Sequence, residues 1–268
     1  MHPRVSVSGL CFPELSATEA IEAVAWLGAG CTSVTGAKAR SAGAGAVVAA
    51  SRRHRVTIAA ATGALGLDLS SPQAADASQR RARADIDLAA AVGAGVMYGL
   101  TGPRTSASWD ACADAYANAA TELAAYAAGR DVALAIEPTS WLYADLTFVH
   151  TFRDALLLAP RAGLGICLDL FHVWTEASLQ ADIGGQAGLI AHVQLSDMTR
   201  GARSLPCRTV PGDGDVPLAA VVGWLLDAGY PGVFDCELNG PAIDAIGHRT
   251  AAARAVGWLD KLLAELGA

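Results

Sequence analysis

The feature that most constrains this chain is alternation: eight short apolar runs separated by stretches with helical patterning. The runs lie at residues 5–12, 31–35, 56–61, 96–101, 132–137, 163–170, 190–196 and 232–238. Helical patterning covers 17–27, 37–54, 71–92, 106–128, 147–158, 218–228 and 246–266, and the first of these opens on Ser16-Ala17-Thr18-Glu19, a capping-box signature, and closes at Gly28. Strands that alternate with helices join a parallel sheet through right-handed crossovers. Either a closed barrel or an open doubly wound sheet satisfies that pattern, and a count of eight favours closure. The open alternative would carry a glycine-rich turn after its first strand so that backbone amides reach a pyrophosphate. Gly9-Leu10-Cys11-Phe12 does not supply one, and no Walker sequence follows elsewhere. The expected fold is α/β, a single (β/α)8 TIM barrel forming one domain over residues 1–268.

Hydrophobic residues make up 53% of the chain, enough for a sizeable core. Every apolar run is interrupted well short of the ~18 residues a membrane span needs, so no membrane partner is expected. Residues 1–9 lack the basic start, apolar stretch and cleavage site of a secretory signal, which makes the cytoplasm the expected compartment. The net charge of −7 and the absence of a long basic run argue against nucleic acid as a partner. Six cysteines without C-x-x-C spacing read as free thiols, several of them small core residues. The charged cluster Gln79, Arg80, Arg81, Arg83 and Asp85 reads as the solvated face of a helix.

Chemistry concentrates at the ends of the later runs. Residues 164–172 read L-G-I-C-L-D-L-F-H. Alternation turns Ile166 and Leu168 to one face and Gly165, Cys167 and Asp169 to the other, so the carboxylate stands at the tip. Glu137 ends the fifth run in A-I-E-P, Gln194 lies in H-V-Q-L-S-D, and Glu237 ends the eighth in V-F-D-C-E-L. A bare carboxylate buried behind apolar residues costs several kcal/mol unless a cation or donors compensate it. Three such tips on different strands point to a metal site, and oxygen-rich ligation suits Mn²⁺, Mg²⁺ or Co²⁺ over a structural zinc. His192 lies one layer deeper and reads as a core histidine satisfied by Asp235. Aromatic candidates for the barrel mouth are Phe12, Trp141, Tyr143, Phe171 and Trp174.

These residues resemble the xylose-isomerase-like TIM-barrel superfamily, which contains ketose 3-epimerases, hydroxypyruvate isomerase and inosose dehydratases. The resemblance runs along the whole chain, with the specific motifs in its second half. It implies a divalent metal (Mn, Mg or Co) held by Glu137, Asp169, Gln194 and Glu237. Gln194 stands where the epimerases carry a ligating histidine, as hydroxypyruvate isomerase does. The resemblance further implies Glu137 and Glu237 as the proton-transferring pair, with His172 of the D-x-x-H motif donating to a substrate oxygen. Arg208, in the segment Arg208-Thr209-Val210-Pro211-Gly212, is implied to bind substrate, although residues 198–207 lengthen its spacing from Gln194. The implied activity is isomerisation or epimerisation of a sugar or related hydroxy-carbonyl compound through an enediolate. A dehydratase or other lyase of the same superfamily is the alternative. A non-catalytic barrel is a third reading, and an endonuclease would need more histidines and a basic face. Relatives often pair, so a homo-oligomer acting on a small sugar-like molecule is expected.

Overall fold

The apolar runs become strands because their β-branched and small residues fit a pleated surface covered on its outer side by helices. The computed structural model describes residues 1–268. Its strands are β1 (Val5–Ser8), β2 (Cys31–Val34), β3 (Thr57–Thr62), β4 (Val96–Gly99), β5 (Ala133–Ile136), β6 (Gly165–Asp169), β7 (Ile190–Leu195) and β8 (Phe234–Cys236). They pair in chain order, all parallel, and β8 returns to β1 to close the barrel. Around it lie α1 (Ala17–Trp26), α2 (Gly36–Ala42), α3 (Ala44–His54), α4 (Pro72–Val92), α5 (Trp109–Ala128) and α6 (Phe152–Ala162), followed by α7 (Leu170–Val173), α8 (Leu179–Gln186), α9 (Leu218–Asp227), α10 (Pro241–Ile246) and α11 (His248–Glu265). This is a (β/α)8 TIM barrel. No helix is long and apolar enough to cross a membrane.

Local chemistry explains several helix ends. Ser16 accepts from Glu19 N while its own N–H donates to Glu19 Oε2 at 2.9 Å, a completed capping box. The expected helix over 37–54 is instead two, because Gly43 adopts φ 83° and breaks the ladder between α2 and α3. The helix expected over 147–158 begins five residues later and ends four later, as α6. Thr151 and Asp154 form a capping box at its start, and Gly163 in the left-handed region closes it. The short helices α7 and α8 between β6 and β7 had no counterpart in the periodicity, which is too brief there to register.

The main core lies between barrel and helices, where outward residues such as Val7, Ile166, Leu168, Val193 and Phe234 are fully buried. Burying each large apolar side chain contributes about 1.5–3 kcal/mol. Inside the barrel a separate small cluster forms from Ala60, Tyr98, Ala135 and Cys167. Beneath the mouth the interior turns polar and satisfies itself. Asp235 Oδ1 accepts from Ser6 Oγ at 2.5 Å and Oδ2 from Ser33 Oγ at 2.6 Å, and His192 Nε2 lies 3.4 Å from Oδ2. The Tyr98 ring stacks on His192 with centroids 5.4 Å apart. All six cysteines are free.

Candidate active site

Register brings the strand tips to one level. Asp169 pairs with Gln194 across β6 and β7, Gln194 pairs with Asp235 across β7 and β8, and Glu237 N donates to Leu195 O at 3.0 Å. Glu137 follows β5 directly, its N–H donating to Gly99 O at 3.1 Å. Asp169 also caps α7, where Oδ1 accepts from Phe171 N at 3.0 Å. That turn carries His172 back over the mouth. Its Nε2 stands 3.6 Å from Asp169 Oδ2 and 3.9 Å from Glu137 Oε1.

Arg208 lies in the middle of this cluster. It donates to Asp169 Oδ2 at 2.6 Å and Ser196 Oγ at 2.9 Å and stands 3.0 Å from Glu237 Oε1. The long loop after β7 places it there through an antiparallel bridge between Asp197 and Thr209. Asp197 secures the loop by accepting from the backbone N–H groups of Met198, Gly212, Gly214 and Val216 at 2.8–3.1 Å. Glycine is required at 214 because a Cβ would collide with the Asp197 carboxylate.

Burial and charge divide the acids. Burial raises Glu137 well above the usual carboxylate range, and the neighbouring negative charges of Glu237 and Asp169 add to it. Burial likewise pushes Glu237 up to about 7, with Asp169 and Asp235 assisting and Arg208 partly offsetting. For Asp169 burial also opposes ionisation, but Arg208, His172 and the hydrogen bonds outweigh it and hold the carboxyl below its ordinary value. His172 is brought down to about 4 by burial against the pull of Asp169. Its imidazole is therefore neutral at physiological pH. A histidine with a depressed folded value destabilises the fold only as pH falls below the unfolded range. In an NMR titration the His172 ring signals should stay unprotonated from pH 8 to 5, and a midpoint near 6.5 would contradict that environment.

The expected residues meet at the mouth in an arrangement the motifs did not specify. Glu137, Asp169 and His172 each offer a ligand atom, and these atoms all lie within 4.8 Å of one another. Gln194 and Glu237, expected beside them as ligands, also lie at the mouth and touch each other, the amide Nε2 donating to Glu237 Oε2. The same amide donates to Tyr98 Oη at 3.1 Å and its oxygen accepts from Cys167 Sγ at 2.9 Å. Tyr98 and Asp197 were not anticipated. Strand alternation places Tyr98 inward, but nothing local marks Asp197 as a loop anchor. Among the aromatic candidates Trp141, Tyr143, Phe171 and Trp174 line a cleft beside His172, whereas Phe12 is fully buried in the main core.

A closed parallel barrel with carboxylates gathered at the C-terminal ends of its strands is the frame of a TIM-barrel enzyme site. The profile of the xylose isomerase-like TIM barrel family matches residues 17–262, and the chain belongs to that family. No sequence among the curated proteins matches it. Solved structures similar to it include an L-ribulose 3-epimerase, at TM-score 0.81 and 18% identity, covering 99% of this chain and 96% of that one. The 3-keto-D-glucoside 4-epimerase YcjR from E. coli superposes at TM-score 0.77 and 16% identity, covering 97% and 100%. The IolI protein with a bound zinc atom gives TM-score 0.84 and 15% identity over 98% and 99%. At such identities the likeness shows the fold alone.

Proposed function

We propose that this chain is a divalent-metal-dependent isomerase or epimerase of a sugar or related hydroxy-carbonyl compound. The observation that carries the reading is that Glu137 and Glu237, from strands three apart around the barrel, line one cavity of about 410 Å³, where burial raises both carboxyls above their ordinary range. Mouth and cavity suit a small polar molecule. The relatives named for epimerisation and the zinc recorded in IolI support the same reading at the level of the family.

A cation fits the residues present. Glu137, Asp169 and His172 would hold it, since the imidazole is neutral and its Nε2 faces both carboxylates. Bound there, a divalent ion supplies Lewis acidity toward a carbonyl oxygen. Glu237 takes a proton from the carbon beside that carbonyl. Its value near 7 lets it accept and return protons at physiological pH. Glu137, on the other side of the cavity, delivers a proton to the opposite face of the enediolate, which inverts the centre. Arg208 keeps Asp169 ionised and steadies Glu237. Arg208 Nε and His172 Nδ1 are buried without protein partners, which leaves both free for substrate oxygens.

Turnover in D₂O tests the reading. Ketoses, hydroxypyruvate and 3-keto glycosides should be screened by proton exchange, because exchange reveals a substrate before its product is known. Deuterium from solvent should appear at the carbon next to the carbonyl. Turnover of a true substrate with no solvent label at short times would replace proton transfer by hydride transfer or another bond cleavage.

A further inference from the structure

Beside the reaction cavity lies a second concavity that the proton chemistry leaves unused. Its volume is about 480 Å³, and nine of its fourteen lining residues are hydrophobic. Trp141, on the turn after β5, is 72% exposed, and Leu205, on the loop between β7 and α9, is 51% exposed. Large apolar side chains left in water on the walls of one cleft hold free energy that a ligand recovers on binding. The inner wall is shared with the reaction site. The Phe171 ring lies 4.4 Å from Arg208 Cζ and 5.0 Å from the His172 ring, and Tyr143 meets His172 edge-on at 5.5 Å. His172 joins the two, since it lines the cleft while its Nε2 stands 3.9 Å from Glu137 Oε1 in the carboxylate cavity.

We propose that the substrate is bipartite: its hydroxy-carbonyl part sits by Glu137 and Glu237, and an aryl substituent occupies this cleft. The proposal rests on the reading of the carboxylate cavity as a hydroxy-carbonyl site. The lining chooses an aryl group over more sugar. Further hydroxyls would need more donors and acceptors than the five polar residues of the lining supply, while the other nine are hydrophobic, among them Trp141, Tyr143, Phe171, Trp174, Met198 and Leu205. Aromatic walls meet a flat guest through faces and edges, and a methionine sulfur adds a soft contact at its rim. The cleft is concave and of small-molecule size, which suits an aryl group better than the flat face of another chain.

The test uses two unreactive probes, phenyl β-glucoside and methyl β-glucoside, titrated by calorimetry. The phenyl compound should bind at least about tenfold tighter, the scale of burying one ring. Trp141→Ala and Leu205→Ser, both at exposed positions and checked for an unchanged melting temperature, should each shrink the phenyl-to-methyl ratio toward one. The same ratio should appear in KM when the corresponding 3-keto glycosides are followed by solvent exchange. Equal affinity of the two probes, or a preference that survives both variants, overturns the proposal. Dimerisation that Trp141→Ala abolishes, with no aryl preference, overturns it too and gives the cleft to a second copy. Exchange of no keto sugar, with the phenyl preference of the unreactive probes intact and lost in the variants, supports the aryl cleft and removes the proposed chemistry.

Discussion

Glu237→Gln should slow solvent exchange at the substrate carbon by about 10²–10⁴-fold, the scale of a lost general base, while the barrel stays folded. Glutamine keeps the shape and an acceptor for the Gln194 amide, so what is removed is the proton carrier. In the wild type, exchange should rise with pH as Glu237 ionises, and the variant should lack that rise. Stability moves the other way. A carboxyl whose folded value is raised is favoured in its neutral form, so metal-free wild type loses stability as pH climbs from the unfolded value toward 7. The variant should therefore match wild type near pH 4 and exceed it above pH 7 by something of the order of 3 kcal/mol. Metal content, measured by elemental analysis, separates lost proton transfer from a lost cation. Exchange within threefold of wild type at full metal occupancy would remove Glu237 from the mechanism.

Asp169→Ala should be the most damaging single change to the fold itself. Arg208 is only 4% exposed, and Asp169 is its shortest ion-pair partner. Removing one member of a buried pair leaves an uncompensated charge and costs about 3–5 kcal/mol. Glu237 and Ser196 remain beside the guanidinium, which puts the expected loss toward the lower end. Asp169 has a depressed folded value, so its contribution is present above the unfolded carboxylate range and lost as pH falls through the lower folded value. Urea denaturation at pH 7 measures the loss, and adding Arg208→Met to Asp169→Ala should recover most of it. A cost under 1 kcal/mol would mean that the guanidinium finds other partners or solvent.

The sequence by itself determined the eight strands, favoured closure through their count, and gave the inward faces of β6, β7 and β8, because side-chain alternation is local and repeats every two residues. Asp169 at the tip of β6, Glu137 and Glu237 after β5 and β8, and His192 against Asp235 were all legible from that period. Tertiary structure decided what each tip touches. Arg208 enters the carboxylates only because the Asp197–Thr209 bridge folds a long loop back over β7, a contact between loop ends that no periodicity encodes. The Gln194 amide is drawn to Glu237, Tyr98 and Cys167 by neighbours from three other strands. His172 faces Asp169 and Glu137 because Asp169 caps the single turn of α7. Trp141 and Leu205 face one cleft although 64 residues separate them in sequence. Strand pattern is set by nearest neighbours along the chain, whereas partners at the mouth are set by barrel closure and loop return. Those bring distant residues together, and a single sequence carries no local trace of it.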